Sequence, residues 1–422
     1  MNRAFLSHSS KQKDLVRQVA NNLGKASCVF DEFEFESGMP IFDEIKIGIG
    51  QCDVFVLFLS DDALNSEWVK TEITEIKNLI ECGLEKRFYP ILIDKSLDIS
   101  TDKRIPTWLR KYLLKPISEH FLITKKIRQR LLELRLESNP IFKAKASLFV
   151  GRQDLFDQIE TKIYSVTDIK PKSIIVSGFE GIGRRTFLKE AFLREKRIKE
   201  YYTPIYITLD TKDSIEDFIL KLQDSTGENT SEYLEQLSQI EYSQKIEEAK
   251  RLLIAVKNSN EYVFIIDSGC VVKPSKQLAD WYQQIINSDE FDNLFTLNII
   301  SRFRPANDLL RYNKDIIYFN VSNLSEKDTE KLFVKYYSLL KLDLKSEQAQ
   351  EILLVLNGIP SQVHYAVERI KDFGIIETLK KKEEIIDYGE TQVYYIIDSI
   401  RSKGKFAFDL LVLISNFDFI SY

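Results

Sequence analysis

The chain has 422 residues, room for about two to four domains of ordinary size. Hydrophobic residues make up 44% and the formal net charge is −5, which excludes wholesale disorder and a chain built mainly to coat nucleic acid. No apolar run reaches the roughly 18 residues of a membrane span, and Met1 to Ser10 turns polar too early for a signal peptide, so the expected setting is cytoplasmic with no membrane partner. Cys28, Cys52, Cys82 and Cys270 are scattered without a CxxC pair and read as reduced thiols rather than a disulfide frame or zinc site.

In chain order, Ala4-Phe5-Leu6 reads as a short strand, Asp14 to Leu23 as an amphipathic helix and Cys28-Val29-Phe30 as a second strand. Ile41 to Ile49 has short helical spacing, Val54 to Leu59 is a nearly continuous apolar strand, Glu67 to Ile80 a helix, and Tyr89 to Ile93 another strand. Apolar strands alternating with helices predict a parallel sheet covered on both faces. Ligands of such sheets sit beyond the carboxyl ends of the strands, so Ser7, His8, the stretch after Asp31 and the stretch after Ser60 should share one rim. Glu72 follows Trp68 by four residues, which puts a carboxylate and a large aromatic on one helix face.

Residues 115–148 read as a connector. Lys125, Lys126, Arg128 and Arg130 are expected to form a solvated helix face, and Asn139-Pro140 to break that helix. A second α/β unit begins near Phe149. Its strands are Ser173 to Val176, Ile205 to Leu209, Tyr262 to Ile266 and Thr296 to Ile300, and from Ser325 onward the pattern is helical. No internal repeat or low-complexity tract is present.

The first unit resembles a TIR (Toll/interleukin-receptor) domain over about residues 1–135. The matching features, in order, are Ala4-Phe5-Leu6-Ser7-His8, Phe30-Asp31 entering a loop with Gly38, Ser60, Ser66-x-Trp68-x-x-x-Glu72, Tyr89-Pro90-Ile91 and Ile105-Pro106-x-Trp108. That resemblance implies a flavodoxin-like parallel fold and one of two roles. Some members only assemble signalling complexes. Others cleave the nicotinamide–ribose bond of NAD+ with a glutamate at the position matching Glu72. A lone carboxylate suits the second role, because nicotinamide leaves readily and the transition state resembles an oxocarbenium ion. Ser7, His8, Phe33, Phe35, Ser60 and Trp68 are then the candidate substrate-binding residues. Phe33 and Phe35 sit among Asp31, Glu32, Glu34 and Glu36, which fits a protein-contact loop as well as a lid.

The second unit resembles a nucleotide-binding STAND (NB-ARC-like P-loop) ATPase domain. Gly151-Arg152 precedes Gly178-x-x-Gly181-x-Gly183, a strand–glycine turn–helix that can cradle phosphate with backbone N–H groups. The usual loop ends Gly-Lys-Ser/Thr, whereas Gly183 is followed by Arg184, Arg185 and Thr186. Arg184 keeps the charge in another geometry, Arg185 replaces the hydroxyl expected on Mg2+, and Thr186 comes one residue late. The resemblance implies ATP or ADP as ligand, Asp267 as the Mg2+ acid after the strand Val263 to Ile266, Arg302 near the terminal phosphate, and Pro360 of Gly358-Ile359-Pro360 near the adenine. The double arginine favours nucleotide binding over turnover.

The expected layout is a TIR domain at 1–135, a linker at 136–148, the nucleotide-binding domain at 149–318, a helical subdomain at 319–385 and the start of an incomplete winged-helix-like region at 386–422. Together these imply an NAD+ hydrolase or cyclase, activated by nucleotide-dependent self-association through both domains, in antiviral defence or cell-death signalling. The alternative is a non-catalytic TIR adaptor on the same switch. Nucleic acid is not indicated as a partner, and the trigger is not legible.

Overall fold

The computed structural model describes residues 3–30, 52–81, 88–112, 114–146, 148–164, 171–223, 230–289 and 295–389, with isolated positions between 397 and 410. The expected helix over 41–49, Phe33, Phe35 and Cys82 lie outside them, as does most of the expected winged-helix-like region. Two compact units divide the chain. The first comprises residues 1–143, 166–175 and 198–317, and the second 144–165, 176–197 and 318–422.

The first unit opens with β1 (Ala4–Ser7), α1 (Lys13–Leu23), β2 (Cys28–Val29), β3 (Val54–Leu59), α2 (Asp61–Asn65), α3 (Glu67–Glu81) and β4 (Phe88–Leu92). The strands form a parallel sheet in the order β2-β1-β3-β4. All six residues of β3 are buried, as a strand covered on both faces requires. On α3, Val69, Ile73 and Ile76 follow helical spacing and pack with Phe55, Leu57 and Leu109. Gly24 at φ 84 ends α1 with its N–H on Ala20 O and Asn21 O, a conformation a side chain would strain.

Next come α4 (His120–Ser138) and α5 (Pro140–Ala146). The break falls at Asn139-Pro140 as the sequence predicts, with Asn139 Oδ1 accepting from the N–H groups of Ile141 and Phe142. The basic residues of α4 differ from expectation. Lys125 and Lys126 do not form a solvated face; they pair with Glu261 at 3.0 and 3.1 Å, and the three side chains are 13%, 22% and 5% exposed. Arg128 donates to Asn22 O, and Gln129 bonds Tyr201 O and the Thr203 N–H. The cause is packing on two sides. One side of α4 meets α1, and the other meets the segments around residues 201–203 and 259–261, so its polar positions need protein partners.

The chain continues through α6 (Gln153–Ile163), β5 (Ser173–Ser177), α7 (Arg184–Arg194), β6 (Ile205–Leu209), α8 (Ile215–Gln223), α9 (Thr230–Gln239), α10 (Tyr242–Asn258), β7 (Val263–Asp267), α11 (Asp280–Ile286), β8 (Leu297–Ser301), α12 (Asn307–Tyr312) and β9 (Ile316–Asn320). The sheet order is β6-β7-β8-β5-β9, with β6, β7 and β8 paired in parallel. The fold class is therefore parallel α/β with two sheets, as expected. Strand β9 is an addition to the sequence reading. Its Ile316-Ile317-Tyr318-Phe319 run is β-branched and aromatic, but it is too short to declare itself without its sheet neighbour.

The second unit also holds α13 (Glu326–Leu339), α14 (Ser346–Leu353), α15 (Pro360–Phe373) and α16 (Ile375–Lys380). Ser325 caps α13 by accepting the Asp328 N–H, and Pro360 occupies the first turn of α15, where its missing N–H costs nothing. Leu332, Phe333, Ile352, Val363, Val367 and Ile370 form the core of this helical part. Among the described residues no helix is long and apolar enough to cross a membrane.

Candidate functional site

The carboxyl ends of β1 and β3 lie side by side, since Ser7 pairs with Leu57 two residues before β3 ends. Helix α3 brings Glu72 to this rim. Glu72 shares the helical stripe of Val69, Ile73 and Ile76, so it turns inward and is 6% exposed. The Ser7 hydroxyl donates to Glu72 Oε2. A carboxylate on a core-facing stripe is costly unless hydrogen-bonded, and Ser7, itself buried, supplies one such bond.

Ser60 directly follows β3 and is buried, and its Oγ accepts the Ala63 N–H at 3.0 Å, capping α2. The Arg104 guanidinium holds the far side of this short helix, bonding Asp61 at 2.6 Å and Asn65 at 2.8 Å. His8 is half-buried, its Nδ1 3.1 Å from Leu6 O and its ring 5.3 Å from that of Phe30. Trp68 lies on α3 one turn before Glu72. The structure thus brings Ser7 and Glu72 into contact and places His8 and Ser60 just beyond the ends of β1 and β3.

In the second unit the glycine-rich loop runs from the end of β5 into α7. Gly178, Gly181 and Gly183 have φ of 147, 75 and 89°, which side chains rarely adopt. Gly181 is also tightly enclosed, because a Cβ there would lie 2.1 Å from Ser361 Oγ. The Ser361 N–H donates to Gly181 O, and Pro360 Cγ and Arg152 Nη2 each come within 3.8 Å of where a Gly183 Cβ would sit. The predicted residues Arg152, Gly181, Gly183 and Pro360 therefore converge. Ser361, one position past Pro360, is a contact the motif reading missed, and it has no sequence signature of its own.

Arg152 has left-handed backbone geometry at φ 65°. Its Nη2 donates to Ile182 O, while Nη1 is buried with no hydrogen-bond partner among the described residues. Burial pushes this guanidinium down to about 10, with Asp328 opposing the shift. Gly183 caps α7, so Arg184, Arg185 and Thr186 occupy its first three positions. Arg184 is half-buried, and Arg185 and Thr186 are exposed.

In the first unit Asp267 ends β7 and is 2% exposed. Its Oδ1 accepts the N–H groups of Gly269 and Val271 at 3.2 and 2.8 Å. Its Oδ2 accepts the Val272 N–H at 3.0 Å and the Ser301 hydroxyl at 2.9 Å. Arg302 is exposed, and its backbone N–H donates to Asp267 O. Cys28, Cys52 and Cys270 are buried, the Cys28 thiol donates to Ala20 O and Gly24 O, and burial pushes the Cys270 thiol up to about 12. Among the described residues no cluster of His, Cys, Asp and Glu could hold a metal ion.

Residues 4–113 match the family model of the TIR domain. No curated protein matches the chain. Among solved structures it is similar to a Signal Transduction ATPase with Numerous Domains (STAND) protein with a tetratricopeptide repeat sensor from Pyrococcus horikoshii, at 15% identity and a TM-score of 0.35, over 56% of this chain and 33% of that one. The chain thus spans about a third of that protein. A Walker-type ATPase of Pyrococcus abyssi is similar at 12% identity and a TM-score of 0.39, over 65% of this chain and 86% of that one. AMPPCP-bound DnaA from Aquifex aeolicus is similar at 15% identity and a TM-score of 0.35, over 60% and 71%. Residues 4–113 of this protein are a TIR domain, followed in the chain by a second parallel α/β sheet with a glycine-rich loop.

Proposed function

We propose that the TIR domain cleaves the nicotinamide–ribose bond of NAD+ and that the remainder, laid out as a nucleotide-binding domain at 149–318 and a helical subdomain at 319–385, is a STAND-type switch that controls it. The observation that carries the reading is the buried Glu72 carboxylate at the rim of the sheet, bonded to Ser7. The C1′–N bond breaks with its electron pair going to nicotinamide, which leaves neutral. Glu72 faces the positive charge developing on the ribose, in surroundings of lower dielectric than water. Water then attacks C1′ and releases a proton to give ADP-ribose; attack by a group within the same molecule gives a cyclic product.

The glycine loop, Arg152 and Pro360 support ATP or ADP as the controlling ligand, and exchange of that ligand would bias self-association of the chain. The setting that fits is defence or cell-death signalling. The test is nicotinamide release by the wild type and Glu72→Ala, both held together by a fused oligomeric scaffold. We expect the variant to lose at least about 100-fold. Equal rates would remove Glu72 from the chemistry. Absence of turnover in every assembled form would leave the adaptor reading, with Ser7–Glu72 as a structural pair.

A further inference from the structure

The P-loop pattern implies Mg2+ on the nucleotide, and the residues present do not fit it. A carboxylate offers about four lone-pair positions. Asp267 uses two on each oxygen, toward three backbone N–H groups and the Ser301 hydroxyl, and it is buried by the same loop that supplies them. To bind a metal or its water shell, Asp267 would have to release residues 269–272. The second usual ligand is a hydroxyl at the second position of the helix after the loop. Arg185 holds that position in α7, and Thr186 follows it. A guanidinium has no lone pair to offer a metal, and its charge repels one.

We infer that this loop binds the phosphates of its nucleotide without a divalent cation, with Arg184 and Arg185 neutralising the charge that Mg2+ would otherwise carry and Asp267 acting as the anchor of the loop after β7. The inference rests on the nucleotide-switch reading above and specifies its chemistry. Arginine suits the task because it is always charged and offers a planar fork to phosphate oxygens. The α7 N-terminus, where Arg185 and Thr186 are exposed, adds backbone N–H groups and the helix dipole. Without a metal to bridge the phosphates and polarise the terminal one, the bound nucleotide persists as a state rather than being consumed.

The experiment measures binding of a fluorescent N-methylanthraniloyl-ATP to the full chain in excess EDTA and in excess MgCl2. We expect the two affinities to agree within about threefold, and Arg185→Ser to weaken binding in EDTA by at least about tenfold. Circular dichroism confirms that the variant is folded; α7 position two is exposed, so its core is not disturbed. Wild-type binding that falls tenfold or more on chelation overturns the inference and leaves the nucleotide reading standing. An Arg185→Ser variant as tight as wild type in EDTA overturns the role of Arg185. Absence of binding in both buffers overturns the inference and the nucleotide reading together.

Discussion

Glu72 and Ser7 show what one hydrogen bond does at a buried carboxylate. Removing the donor takes away a charge-assisted bond worth about 1.5–3 kcal/mol. Glu72 keeps other contacts, so Ser7→Ala should cost about 1.5 kcal/mol in a denaturant melt. Glu72→Gln should cost under about 1 kcal/mol, because the amide oxygen still accepts from Ser7, while NAD+ cleavage falls to background. If stability and activity fell in step across the two variants, Glu72 would be a structural acid only. The helical spacing that carries Glu72 was legible in the sequence, and the family pattern drew attention to it. The partner was not: Ser7 is 65 residues away, and only the parallel register of β1 on β3 and the docking of α3 bring it there.

Helix α4 is the element where sequence pattern misleads. Its basic residues look solvated because their partners are remote: Glu261 precedes β7, and Asn22 lies in the last turn of α1. Desolvation lowers the Lys125 pKa against the pull of Glu261, and the Tyr202 hydroxyl donates to the same carboxylate at 2.7 Å. Glu261→Ala leaves two ammonium groups buried without their acid and should destabilise by about 3 kcal/mol, read as a lower thermal midpoint. A change below about 0.5 kcal/mol would mean the pair contributes nothing net. A second junction lies in the other unit, where Glu368 on α15 accepts from Lys145 of α5 and Tyr336 of α13. The Lys145 ammonium and the Tyr336 hydroxyl hold Glu368 down at about 2, below its ordinary 4.5. A depressed carboxylate pKa stabilises the fold above the unfolded value, and that contribution is lost as pH falls from about 4.5 to about 2. Thermal midpoints across that window should fall for the wild type and flatten for Glu368→Gln. Parallel slopes would show that Glu368 is not responsible.

At the scale of the whole molecule, the proposed control of the TIR domain by the rest of the chain predicts poor activity of single chains. Nicotinamide release per chain should rise at least about tenfold when the protein is concentrated or fused to an oligomeric scaffold, because assembly selects the competent form. A rate per chain independent of concentration and of scaffold would sink control by assembly. The sequence by itself determined the fold class, the order of the two sheets along the chain, and the glycines of the loop, because strand burial, helical spacing and positive φ are local properties of residues. Tertiary structure decided which polar groups are committed. Asp267 reads as an available acid at a strand end, yet the turn over residues 268–272 folds back to fill its oxygens. Lys125 and Lys126 read as solvent-facing, yet a buried Glu261 meets them. The physical reason is common to both. A polar side chain's role depends on what fills its hydrogen-bonding positions, and those partners come from segments that the sequence keeps apart.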